Sequence, residues 1–84
     1  MVTIYGKANC GFCTKAKTLA ENKQLKYDYK DVGIKATLDE LMERARVPVK
    51  SVPQIFIRDE YIGGYVEFSR YLEETGYNGT GETL

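Results

Sequence analysis

Two cysteines, Cys10 and Cys13, are the residues of this chain best suited to chemistry, and they stand two apart in Lys7-Ala8-Asn9-Cys10-Gly11-Phe12-Cys13. A C-x-x-C between a predicted strand and a predicted helix reads as a thiol redox motif. A helix N-terminus presents unpaired N–H groups and the positive end of the macrodipole, and both favour a thiolate over a thiol. Cys10, at the first turn, is the expected nucleophile. Cys13, one turn further in, is expected to be more buried and able to attack the Cys10 sulfur of a mixed disulfide. Three other readings compete. A structural disulfide across so short a loop would add little chain-entropy stabilisation. A structural zinc site takes four Cys or His ligands, and the chain has no histidine and no third cysteine, so only a dimer could complete one. The pair could also pack as two inert apolar side chains.

The cysteines need a strand before them and a helix after them. Val2-Thr3-Ile4-Tyr5 is an apolar run rich in strand formers, suited to the middle of a sheet. From about Gly11 to Asn22, Cys13, Ala16, Leu19 and Ala20 recur at helical spacing, with Lys15, Lys17 and Glu21 on the wet side. Leu25 to Val32 alternates, Leu25, Tyr27 and Tyr29 against Lys26, Asp28 and Lys30, which predicts a half-exposed edge strand. Strand, helix and strand in this order make a right-handed unit whose two strands run parallel.

Gly33 ends that unit, and Thr37-Leu38-Asp39-Glu40 has the form of a capping box. With Leu38, Leu41, Met42 and Ala45 as an apolar stripe, it predicts a second helix from about Leu38 to Arg44, with Pro48 beyond its end. Gln54-Ile55-Phe56-Ile57 and Tyr61-Ile62 read as strands joined at Arg58-Asp59-Glu60. That loop lacks an Asn-Gly signal, so the sequence leaves its register open. After Gly63-Gly64 a last helix is predicted, with Val66, Phe68, Tyr71 and Leu72 inward, an Arg70–Glu74 pair outside and Gly76 as its stop. Residues 77–84 read as a loose polar tail after a domain of residues 1–76.

Composition narrows the function classes. Eighty-four residues make one modest core. Twelve basic and twelve acidic residues cancel, so no global field draws the chain to nucleic acid or an anionic membrane. No apolar run reaches a membrane span and no leader precedes the first strand, so a cytoplasmic, reducing setting is expected, in which a cysteine pair does chemistry.

Three separated blocks resemble the short dithiol glutaredoxins. They are Tyr5-Gly6-Lys7 through Cys13 with Lys15-Ala16-Lys17, then Ser51-Val52-Pro53-Gln54-Ile55-Phe56-Ile57, and Ile62-Gly63-Gly64-Tyr65. The resemblance implies an α/β, thioredoxin-like fold (β-α-β-α-β-β-α), a four-stranded mixed sheet flanked by three helices. It implies a glutathione-dependent thiol-disulfide oxidoreductase, with Cys10 attacking, Cys13 resolving, a redox-active Cys10-Cys13 disulfide, and glutathione as reductant. The implied glutathione groove comprises Lys7, Phe12, Lys50, Val52, Pro53, Gly64, Tyr65, Val66 and Glu67. Lys7 and Lys50 would meet the glycine carboxylate, and Pro53 would be the cis proline. Implied partners are glutathione and disulfide-containing proteins such as ribonucleotide reductase, with no nucleic acid, membrane or metal, and the chain a monomer.

Two departures from the family pattern matter. Val66 and Glu67 stand where many glutaredoxins have Thr-Asp to hold the γ-glutamyl end, and Val66 supplies no side-chain hydrogen bond. Gly11-Phe12 replaces the common Pro-Tyr and is similar to monothiol members that hold an iron-sulfur cluster between two subunits. The alternatives are thus a glutaredoxin-like protein reduced by thioredoxin reductase, or a glutathione-ligated 2Fe-2S carrier.

Overall fold

The computed structural model describes residues 1–46 and 49–77. Seven elements follow in the order β1 (Val2–Gly6), α1 (Gly11–Asn22), β2 (Tyr27–Asp31), α2 (Lys35–Ala45), β3 (Gln54–Ile57), β4 (Glu60–Gly63) and α3 (Tyr65–Thr75). They build one four-stranded sheet in the order β2-β1-β3-β4. β1 runs parallel to β2, with Ile4 opposite Tyr29, and antiparallel to β3, with Ile4 opposite Ile55. The alternating segment Tyr27–Asp31 is therefore the edge strand its pattern predicts, and the apolar runs of β1 and β3 are the two central strands.

Central strands bury both faces, and each face has its own core. Val2, Ile4, Ile55 and Ile57 point to one side, where Ala16 and Ala20 of α1 and Phe68 and Leu72 of α3 cover them. Tyr5 and Phe56 point to the other, beneath Leu41 and Ala45 of α2. The period of two along each strand sorts the side chains between the layers.

Helix α2 departs from the sequence reading at its start and on its inward face. It begins at Lys35, with Ile34 as a cap that makes no side-chain bond, so Thr37 lies inside the first turn and caps nothing. The initiating signal is upstream: Asp31 accepts the Gly33 N–H on its side chain at 2.8 Å and the Ile34 N–H on its carbonyl at 3.2 Å. That turn feeds straight into the helix. Leu41 and Ala45 are buried as expected, whereas Leu38 and Met42 are 37% and 50% exposed. The reason is Tyr5. Its side chain is fully buried, and a buried hydroxyl without partners is costly. Glu40 accepts from it and Arg44 donates to it at 2.9 Å, so the helix turns these two residues towards the sheet and Leu38 and Met42 away. Lys30 completes the group by donating to Glu40 at 2.7 Å.

The hairpin turns at Arg58–Asp59, with Arg58 left-handed at φ 56°, and Glu60 already belongs to β4. Its register shifts by one residue between Ile55 and Phe56, a bulge at the end nearest Gly63. In α3, Phe68 and Leu72 are buried, but Val66, expected inward, is 54% exposed in the first turn. No ion pair joins Arg70 to Glu74 among the described residues. Gly76 ends the helix at φ 64°, as its position predicts. Tyr77, placed in the tail by sequence reasoning, is buried and packs its ring 6.3 Å from Tyr71. Pro48 and the rest of the expected tail, residues 78–84, lie outside the described residues.

Candidate active site

β1 ends at Gly6, where the Val32 N–H bonds the Gly6 carbonyl at 2.9 Å. The chain then crosses the exposed residues Lys7, Ala8 and Asn9, with Asn9 left-handed at φ 59°, and enters α1 at Cys10. Cys10 is the N-cap: its backbone is extended (φ −113°, ψ 112°) and its sulfur accepts the Cys13 N–H at 3.2 Å. An N-cap side chain ordinarily satisfies one of the orphan N–H groups of the first turn through oxygen. Here a sulfur does so, and a thiolate at that point would face the positive end of the helix. Its carbonyl accepts both the backbone N–H and the hydroxyl of Thr14, at 3.1 and 3.2 Å.

Cys10 and Cys13 are joined as a disulfide, with Cα atoms 5.2 Å apart. The two sulfurs differ in environment. Cys13 is fully buried, whereas Cys10 is partly exposed at the rim. An incoming nucleophile or an external disulfide can meet Cys10, and Cys13 is reachable only from within. This is the division of labour that a two-cysteine exchange needs.

Across from Cys10, the Val52 carbonyl lies 3.9 Å from its sulfur, and the Val52–Pro53 peptide bond is cis. Gln54, buried at the start of β3, holds this turn from below: its amide N–H donates to the Ser51 carbonyl at 2.9 Å and its amide oxygen accepts from Tyr61. Beside the turn runs a shallow groove of about 260 Å³ lined by Phe12, Ser51, Val52, Pro53, Gly64, Tyr65, Val66 and Glu67. Phe12, 56% exposed, rests against Tyr65 with ring centres 6.0 Å apart and carries the Lys15 ammonium 5.0 Å from its centroid. Gly63, at φ 122°, adopts a conformation that favours glycine, and a Cβ on Gly64 would stand 3.6 Å from the Pro53 carbonyl. The corner from β4 to α3 thus lies directly against the proline turn.

Seven of the residues singled out in the sequence, Phe12, Val52, Pro53, Gly64, Tyr65, Val66 and Glu67, therefore meet in one groove beside the cysteines. Lys7 and Lys50 are both exposed and do not line it. Glu67 is engaged locally, accepting the Gly64 N–H at 2.8 Å as the cap of α3. A larger concavity of about 720 Å³ near Arg44, Asp59 and Tyr61 has no cysteine in its lining. Among the described residues no three His, Cys, Asp or Glu side chains gather as a metal site.

The sequence profile of the glutaredoxin family matches residues 2–62. This chain belongs to the glutaredoxin family. Glutaredoxin 1 of Escherichia coli is 39% identical over 77 residues, covering 84% of this chain and 91% of that one. The glutaredoxin of Haemophilus influenzae is 38% identical over 79 residues, covering 87% and 91%. The solved structure of reduced Escherichia coli glutaredoxin superimposes with a TM-score of 0.75 at 34% identity, over 87% of this chain and 93% of that one. The thioredoxin-like fold is therefore the family's, and the chemistry of this glutaredoxin is thiol-disulfide exchange at its C-x-x-C.

Sequence reasoning missed two residues here. Ser51 lines the groove, and Tyr29 of β2 lies beneath the cysteine loop, its hydroxyl donating to the Lys7 carbonyl at 3.2 Å. Strand alternation put Tyr29 on the right face, but only the parallel pairing of β2 with β1 brings it under Gly6.

Proposed function

We propose that this glutaredoxin is a glutathione-dependent oxidoreductase that reduces protein disulfides and glutathione mixed disulfides in the cytoplasm, acting as a monomer. The observation that carries the reading is the groove from Phe12 to Glu67 opening beside the rim sulfur of Cys10, with the buried Cys13 behind it. In the reducing direction the Cys10 thiolate attacks a substrate disulfide. The Cys10–substrate bond forms as the substrate sulfur–sulfur bond breaks, and one substrate thiolate leaves and takes a proton. Cys13, deprotonated, then attacks the Cys10 sulfur, closes the intramolecular disulfide and releases the second substrate thiol. Two glutathione molecules return the pair to the dithiol through a Cys10–glutathione mixed disulfide, leaving as glutathione disulfide.

In this reading a bound tripeptide lays its cysteine against Val52 and its γ-glutamyl end against the Gly64 corner, where the backbone is open to close approach. Phe12 and Tyr65 flank it with apolar surface, and Lys7 and Lys50 act at longer range on its glycine carboxylate. Ribonucleotide reductase is proposed as a protein substrate on family resemblance alone.

A second donor, thioredoxin reductase, is favoured by one observation. At the γ-glutamyl end the Val66 side chain carries no polar atom and the Glu67 carboxylate is already bonded to Gly64 N–H. The iron-sulfur alternative requires Cys10 to be free of Cys13 and shared with a second chain; anaerobic reconstitution giving a brown dimer would support it. The deciding experiment is NADPH oxidation coupled through glutathione and glutathione reductase with a small mixed-disulfide substrate, comparing the parent with Cys10→Ser. Glutathione-dependent turnover that vanishes in the variant supports the primary reading. Turnover seen only with thioredoxin reductase moves the protein to the other donor.

A further inference from the structure

We propose that Tyr29, on the edge strand and outside the C-x-x-C loop, is a positioning residue for thiol-disulfide exchange: its hydroxyl anchors the Lys7 carbonyl and so fixes the loop that delivers Cys10 to α1.

The loop has few other restraints. The sheet ladder ends at the Gly6 carbonyl, and the helix begins with the Cys10 carbonyl bonded to Thr14. Between them the backbone makes a tight turn at Ala8–Asn9, and among the described residues the Tyr29 hydroxyl on Lys7 O at 3.2 Å is the one side-chain hydrogen bond to residues 7–9. Three exposed residues free to move would spread Cys10 over many orientations relative to the helix amides.

Tyr29 is itself held. Its ring packs against the core, and the Lys17 ammonium sits 5.2 Å from its centroid. Its tip and the Cβ of Cys13 both crowd the space where a Gly6 side chain would be, at 2.8 Å from Tyr29 Cζ and 3.1 Å from Cys13 Cβ. One side chain therefore touches the backbone before the nucleophile and borders the resolving cysteine. Burial, with Asp31 adding to it, pushes the Tyr29 hydroxyl above its ordinary pKa, so it remains a donor.

The anchor matters unequally in the two redox states. In the disulfide, the covalent ring to Cys13 holds Cys10 with or without Tyr29. In the dithiol, only non-covalent contacts keep the Cys10 sulfur on the Cys13 N–H. Removing the hydroxyl should therefore destabilise the reduced form more, weaken thiolate stabilisation and favour the disulfide.

Tyr29→Phe tests this, because it keeps the ring and deletes one oxygen; thermal melting and amide exchange in β1 check that the fold is intact. The equilibrium of the Cys10–Cys13 pair is measured in a dithiothreitol redox buffer, which needs no glutathione groove, alongside the alkylation rate of Cys10 at neutral pH. A neutral hydrogen bond supports a shift of about two- to tenfold towards the disulfide, with alkylation slowed by a similar factor. A redox equilibrium within twofold of the parent overturns the proposal, whatever happens to the melting temperature.

Discussion

The Cys10 sulfur lies 3.2 Å from the backbone nitrogen of Cys13, so the rim cysteine caps the helix that carries its own disulfide partner. The contact joins electrostatics to geometry. The N–H that would face negative charge on a reduced Cys10 belongs to the residue proposed to attack it, and the spacing of three is one helical turn.

Cys13→Ser should separate the two halves of the exchange. The buried position tolerates the smaller hydroxyl sterically, but a serine cannot resolve a mixed disulfide. The variant should trap protein substrates as mixed disulfides with Cys10, visible by non-reducing electrophoresis, while keeping exchange with small glutathione mixed disulfides within about tenfold of the parent. Loss of small-substrate exchange as complete as in Cys10→Ser would contradict the assigned roles.

Gly6→Ala should destabilise the fold at the base of the site. The new methyl group meets Tyr29 Cζ at 2.8 Å and Cys13 Cβ at 3.1 Å, and neither neighbour lies in open space. Overpacking of this kind costs about 1–3 kcal/mol. At roughly 4–8 °C per kcal/mol for a domain of this size, calorimetry should show a clear fall in melting temperature.

Glu40→Gln should flatten the acid limb of the stability profile. The Lys30 ammonium, then the Tyr5 hydroxyl, hold the Glu40 carboxyl below its ordinary value of 4.5. A carboxylate with a lower pKa folded than unfolded contributes stability that is present above the unfolded value and lost as pH falls through the folded one. Lys30, raised chiefly by its bond to Glu40, acts in the opposite sense: its contribution holds below 10.5 and disappears as pH rises through the folded value. Because the pair is partly exposed, the difference between parent and variant from pH 6 to pH 3 should stay below about 1 kcal/mol in urea titrations.

Helix α2 offers a contrast within one turn. Leu41 is fully buried, and Leu41→Ala should cost about 2–5 kcal/mol. Leu38→Gln and Met42→Gln, on the exposed side, should each stay within roughly 1 kcal/mol of the parent. Equal losses at all three positions would mean that α2 is rotated from its described orientation.

Val66→Thr asks what the groove accepts. The side chain is 54% exposed, so the substitution should leave stability nearly unchanged. If the γ-glutamyl end of glutathione lies there, an added hydroxyl should lower KM for a glutathione mixed disulfide by about two- to tenfold, with little change in kcat. An unchanged KM would argue that the substrate passes elsewhere.

The sequence by itself determined the order of elements, the helix that begins at Cys10 and the cysteines' places on it, because these depend on periodicity and on chemistry within a few residues. It also marked β1 as central and β2 as an edge, since burial on two faces or one is written in the alternation; the central place of β3 came only from the structure. The inward face of α2 was not legible. Leu38 and Met42 fit an apolar stripe, but the buried Tyr5 hydroxyl, thirty-five residues from Glu40, required polar partners and turned the helix. Tyr77 was likewise unreadable, its burial depending on the neighbouring Tyr71 and not on its own polar surroundings. Only the tertiary structure drew Phe12, Val52 and Gly64 into one groove and slid Tyr29 under Lys7, because contacts across the sheet obey strand pairing, which local spacing does not encode.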